Sequence, residues 1–209
     1  MGPLTENFAN LSLYLTAQRS QERAAPLLIE KLARPLLSRE WRLGSGNLVD
    51  PRGRMVGPFD VVASADAYPV FGEGMASMYC VDAVAFCLSA RDWNAEPLSE
   101  FGQQAVQVKK LERKQKTPIL CAAVSFTPLP LEQLREFLLG PEGQAVDAVL
   151  SIGEHVLVRN GGLYGDPARI PFVSERGAGE SLKAFSMLLL QTAEAAQGQP
   201  FLLADYQHL

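Results

Sequence analysis

The sequence predicts an α/β fold, a mixed central sheet flanked by helices, formed as a single domain over residues 1–209. Three observations point there. Val81–Leu88 and Ile119–Phe126 are nearly unbroken apolar runs, the pattern of strands buried on both faces. Pro97–Lys116 lies between them with Leu98, Phe101, Ala105, Val108 and Leu111 in one helical stripe. A strand, a helix and a strand of this length imply a right-handed crossover to a parallel neighbour. Trp41–Val49 and Val56–Ser64, joined by the turn signal Asp50-Pro51-Arg52-Gly53, read as a hairpin.

In chain order, Leu4–Leu37 is helical by its three and four spacing of leucines, and Pro26 divides it near Ala24-Ala25 into two helices, the second running to Ser38. After the hairpin, Gly72-Glu73-Gly74 leads into a third strand, Met78–Leu88. Gly44-Ser45-Gly46 and Gly72-Glu73-Gly74 lack the Lys-Ser/Thr and helix start of a phosphate loop and are read as turns. Thr117-Pro118 stops the long helix. Leu129–Leu139 is a short amphipathic helix ended by Gly140-Pro141, and Val146–Ile152 with His155–Arg159 form a second hairpin. Residues 163–179 read as a loop and Glu180–Ala196 as the last helix, while the tail 200–209 has no usable period.

Composition narrows the function classes. Hydrophobic residues are 47% and charged residues 20% of the chain, which is globular rather than disordered. A net charge of −4 supplies no overall basic field for nucleic acid, so any such contact rests on a local patch. Lys109, Lys110, Arg113, Lys114 and Lys116 crowd the second half of the long helix; they are a solvated helix end or a nucleic-acid surface. The three cysteines, Cys80, Cys87 and Cys121, have no CxxC spacing, and with only His155 and His208 a Cys/His zinc site is not expected. They are expected as buried free thiols. The first residues lack the basic and apolar regions of a secretory signal, and no run approaches the ~20 apolar residues of a membrane span, so a cytoplasmic setting is expected. Trp41, Tyr68, Phe71 and Trp93 are assigned to core or hinge packing, and Asp147, Glu154 and His155 to a turn after a strand.

The order helix, hairpin, central strand, long helix, strand resembles the αβββαβ core of the restriction-endonuclease-like superfamily, the PD-(D/E)xK nucleases. Gly57-Pro58-Phe59-Asp60-Val61-Val62 looks like the superfamily's aspartate element on its second strand. Lys116–Phe126, the short helix and Val146–Ile152 are similar to an uncharacterised bacterial branch. The resemblance covers a nuclease-like core of about 27–160, leaving an extra C-terminal hairpin and a helical extension of about 161–209.

The resemblance implies carboxylates from adjacent strands holding magnesium, with a nearby lysine that helps activate water. Acid and lysine should then stand two residues apart on one face of the third strand. In the preferred register those positions are Cys87 and Ser89, and Asp82 supplies an acid without a lysine. The expectation is therefore a catalytically degenerate nuclease-fold protein that acts by binding. Its expected partner is a protein in a bacterial defence, immunity or related assembly, with nucleic acid at Lys109–Lys116 as the other binding mode. No cofactor is expected. The alternative is an active Mg²⁺-dependent nuclease on DNA or RNA with a migrated site, in which Asp60, Asp82 and Lys109 are catalytic and Glu30, Asp60 and Asp82 hold the metal. A structural subunit that forms oligomers through the C-terminal helix is a third reading.

Overall fold

The computed structural model describes residues 3–17, 26–66, 70–72, 76–93, 95–159, 172–197 and 206. Among them the elements are α1 (Pro3–Ala17), α2 (Leu28–Ala33 wound as π-helix, continuing as α over Arg34–Leu36), β1 (Trp41–Val49), β2 (Met55–Ala65), β3 (Val70–Phe71), β4 (Met78–Cys80), β5 (Val84–Arg91), α3 (Ala95–Lys110), β6 (Leu120–Ser125), α4 (Leu131–Leu139), β7 (Ala148–Ser151), β8 (His155–Arg159), β9 (Phe172–Arg176) and α5 (Ala178–Ala196). The nine strands make one mixed sheet in the order β3-β4-β1-β2-β5-β6-β7-β8-β9. Pairs β5–β6 and β6–β7 are parallel, so the expected crossover through α3 is present. The helix junction near Ala24-Ala25, Tyr68, residues 163–171 and all of the tail but Tyr206 lie outside the described residues.

Each face of the sheet carries its own apolar core. Leu15 of α1, Leu28 and Leu32 of α2, and Leu182, Phe185, Leu188 and Leu189 of α5 bury one face against Val61, Ala63, Phe86, Leu88 and Ala90. Leu98, Phe101, Ala105 and Val108 of α3, with Leu134 and Leu138 of α4, bury the other against Val62, Val84, Cys87, Cys121 and Ala123. Burial on both faces is why β5 and β6 carry apolar residues without alternation.

Four expectations are corrected. Met78–Leu88 is not one strand: β4 pairs with β1 in parallel, a single 3₁₀ turn (Val81–Ala83) follows, and β5 pairs with β2. The break falls on Asp82, 7% exposed, whose Oδ1 accepts the N–H groups of Lys114 (2.8 Å) and Gln115 (3.4 Å) and whose Oδ2 accepts the Tyr206 hydroxyl proton (2.8 Å). The long helix ends at Lys110 rather than Lys116 for a linked reason. Beyond it, the Glu112 N–H goes to Asp50 Oδ2 (3.0 Å), and those of Lys114 and Gln115 go to Asp82, so carboxylates replace the helical carbonyls. Gly44-Ser45-Gly46 is strand, not turn, and its glycines make room. A Cβ on Gly44 would meet the Tyr79 hydroxyl at 2.2 Å, and one on Gly46 the Ser77 carbonyl oxygen at 2.2 Å. Lastly, the segment read as a loop contains β9, which pairs antiparallel with β8.

The turn of the first hairpin shows how one residue organises its surroundings. Asp50 is fully buried. Its Oδ1 accepts the N–H groups of Arg52 and Arg54 (both 3.0 Å), and its Oδ2 accepts Arg54 Nε (2.7 Å). Burial alone would raise its pKa; the hydrogen bonds from Glu112, Arg54 and Arg52 outweigh it and hold the carboxyl below its usual range. Among the described residues no helix is long and apolar enough to cross a membrane.

Candidate functional site

Asp60 stands where β2 leaves β5. Along β1, Gly44 pairs with Val62 and Gly46 with Phe59, so Asp60 and Val61 together oppose Ser45 in a β-bulge. On the other side, β2 pairs with β5 from Val61 (opposite Leu88) onward. Where the ladder stops, the Asp60 carboxylate replaces a strand carbonyl: its Oδ2 accepts the Ala90 N–H at 2.7 Å. Asp60 is half-buried. Burial raises its pKa, while the Ala90 hydrogen bond and the charge of Arg91 pull it back, and the net shift is upward.

The residues of β5 around this carboxylate are Ser89, Ala90 and Arg91. Ser89 is fully buried, and its Oγ has no hydrogen-bond partner. Arg91 follows on the same face, its guanidinium 4.9 Å from the centroid of the Trp93 ring in a cation–π contact. Trp93 packs at 5.6 Å on Phe101 of α3 and donates its Nε1–H to the Val124 carbonyl at 2.8 Å. The site is therefore built from a bulged β2, the end of β5 and the first turns of α3.

The structure separates most of the residues the sequence suggested. The register expectation placed Cys87 and Ser89 at the acid and lysine positions. Cys87 instead lies opposite Val62, its Sγ 3.7 Å from Cys121 Sγ, with burial and then Cys121 raising its pKa, so the pair of positions beside Asp60 is Ser89 and Arg91. Asp82 precedes β5, while Asp60 meets its end. Val84 to Ala90 spans roughly 20 Å of strand at ~3.3 Å per residue, so the two carboxylates do not share a centre. Lys109 gives its ammonium to Asp147 Oδ2 (2.7 Å) and the Ile119 carbonyl (2.6 Å), and Asp147 Oδ2 also accepts the Cys121 N–H (2.7 Å). Glu30 pairs with its neighbour Lys31 on the outer side of α2, across the sheet from Ser89 and Arg91.

The basic cluster is likewise broken up. Lys110, Lys114 and Lys116 are exposed, but Lys109 is tied to Asp147 and Arg113 turns inward. The sequence reading missed Arg91, whose signal was its place two residues after Ser89 on one strand face. It read Asp50 only as a turn residue, and it missed the contact of Tyr206 with Asp82, for which no local pattern existed.

Magnesium, which the resemblance to the nuclease superfamily implies, needs oxygen ligands in a near-octahedral shell. Here one carboxylate, with one oxygen already holding the Ala90 N–H, feels the guanidinium of Arg91, whose charge opposes a divalent cation. Among the described residues no three His, Cys, Asp or Glu side chains cluster so as to hold a metal ion. The residues at Asp60 do not fit the ion.

No protein-family model matches the chain, and no curated protein matches its sequence. Solved structures do resemble it. E. coli MS115-1 NucC in its cAAA-bound form superposes with a TM-score of 0.81 at 14% identity, covering 100% of this chain and 97% of that one. The apo form of the same protein gives 0.79 at 16% identity, covering 99% of each chain. P. aeruginosa ATCC27853 NucC, cAAA-bound, gives 0.80 at 13% identity, covering 100% and 98%. Over its full length this chain has the fold of these NucC structures, a mixed sheet flanked by helices.

Proposed function

We propose that this chain is a nuclease-fold protein that has given up metal-dependent phosphodiester cleavage and acts by binding, its partner a protein in a bacterial defence or immunity assembly. The observation that carries this reading is the pair Ser89 and Arg91 beside Asp60, where cleavage needs a second carboxylate and an amine. Two features favour a protein partner over nucleic acid. Of the five clustered cations, Lys109 is paired with Asp147 and Arg113 has its Nε and Nη1 buried, so neither offers a free surface charge that could follow a nucleic-acid backbone. Leu13 (67% exposed) and Tyr14 (45% exposed) stand side by side on α1, with Leu4 exposed on the same helix.

A second reading, an active Mg²⁺-dependent nuclease on DNA or RNA, draws support from the full-length likeness to NucC and from Asp60 keeping its place on β2. One experiment separates the two. The purified chain is incubated with linear, circular and single-stranded DNA and with RNA, with Mg²⁺ or Mn²⁺, and with or without cAAA, the ligand of the NucC structures. The binding reading expects intact substrate throughout, and a pull-down that captures a protein at high salt with no gel-shift on nucleic acid. Cleavage that disappears in Asp60→Asn overturns it in favour of the nuclease.

A further inference from the structure

Behind the end of α3 lies a cavity of about 230 Å³, walled by Val81, Val108, Leu111, Pro118 and Ile119, with Lys109, Arg113 and Gln115 also on its lining. Arg113 is the unusual member. Its Nε and Nη1 are buried and have no hydrogen-bond acceptor. The nearest carboxylate charge, Asp82, is already used: it accepts from the backbone of Lys114 and Gln115 and from the Tyr206 hydroxyl, and it forms no ion pair with Arg113. Burial pulls the guanidinium pKa down to about 10 against the opposing pull of Asp82 and Tyr206, so the cation is incompletely compensated.

A buried guanidinium without acceptors is expensive unless something completes its shell. Planar N–H donors match oxyanions, and Arg113 supplies them here, because the Lys109 ammonium on the same wall is already paired with Asp147. The volume is below the ~300–1,000 Å³ of pockets that enclose drug-sized ligands, which favours a small anion. Neither residue contributes to the Asp60 centre.

We propose that this cavity is a binding site for a small tetrahedral oxyanion, a phosphate ion or a phosphoryl group, held by Arg113. The site is independent of whether the Asp60 centre cleaves. Isothermal titration of the full-length chain with inorganic phosphate at constant ionic strength tests it, with sulfate and acetate as parallel titrants. Saturable binding of one phosphate per chain is expected, matched by sulfate and at least about tenfold weaker for planar acetate. Arg113→Gln should lose at least tenfold in affinity, and Arg113→Lys, which keeps the charge but not the planar donors, most of that. Absence of saturable phosphate binding to the wild-type chain overturns the proposal, and this arm does not depend on the variants folding. Binding that survives unchanged in a folded Arg113→Gln overturns it as well.

Discussion

Replacing Asp60 by asparagine and by alanine separates a strand-capping carboxylate from a metal ligand. The Ala90 N–H, in a residue only 7% exposed, donates to Asp60 Oδ2 at 2.7 Å. Asparagine keeps a carbonyl oxygen there; alanine leaves a buried donor without an acceptor. A hydrogen bond to a charged group contributes ~1.5–3 kcal/mol, and removing the half-buried carboxylate returns part of that, so Asp60→Ala should cost about 1–2 kcal/mol. In a chain of this length that corresponds to a melting point lower by roughly 2–8 °C. The asparagine variant behaves differently because burial holds the Asp60 pKa above its unfolded value. With a raised folded pKa, the contribution to stability is present below the unfolded pKa and lost as pH rises through the folded one. Near neutral pH the ionised carboxylate is thus a net penalty that asparagine lacks. Asp60→Asn should melt at or slightly above wild type near neutrality, the difference vanishing below about pH 4. Calorimetric melts of the three proteins across this pH range, with and without millimolar Mg²⁺, read both effects. The reasoning fails if asparagine is as damaging as alanine. It fails equally if Mg²⁺ raises the wild-type melting point and the gain is lost in Asp60→Asn.

Two further predictions concern the carboxylates that shape the scaffold. Asp50→Ala removes a fully buried acceptor of four N–H groups, and breaking such a network costs ~3–5 kcal/mol, measurable by urea unfolding. Because its folded pKa is lowered, Asp50 contributes stability above its unfolded pKa that is lost as pH falls through the folded value; acid unfolding of the Asp50→Ala chain should therefore depend less on pH, and an unchanged dependence would count against the assignment. Tyr206→Phe deletes the hydroxyl that donates to Asp82 at 2.8 Å, and leaving a buried carboxylate oxygen short of a donor costs about 1–3 kcal/mol. Thermal melts read this loss, and an unchanged melting point would remove the structural role given to the Tyr206 hydroxyl.

How far the sequence could be read depended on whether the deciding interactions were local. The hairpin was readable because Asp50-Pro51-Arg52-Gly53 is a turn by its own chemistry, and β6 because a strand buried on both faces has no alternation to obscure it. The break at Asp82 and the early end of α3 were not readable. Each depends on backbone N–H groups of residues 112–115 finding carboxylates more than 30 positions away in sequence. At the Asp60 centre the sequence supplied the aspartate and the absence of a (D/E)xK pair, but it set the facing residues one dipeptide too early. The bulge at Asp60–Val61 shifts the register between β2 and its neighbours, and a bulge leaves no mark that composition or periodicity records.

By itself, then, the sequence determined the α/β class, the strand–helix–strand crossover, and a candidate centre with one acid and no lysine beside it, because these follow from short-range patterning and residue identity. Only the tertiary structure decided which cations face solvent and which are consumed. Lys109 goes to Asp147 and Arg113 to the wall of a cavity, although both sit in a run that reads as a uniform basic surface. Charge counts along a chain are additive. Whether a charge is available depends on what packs against it, and that is set by contacts between residues far apart in sequence.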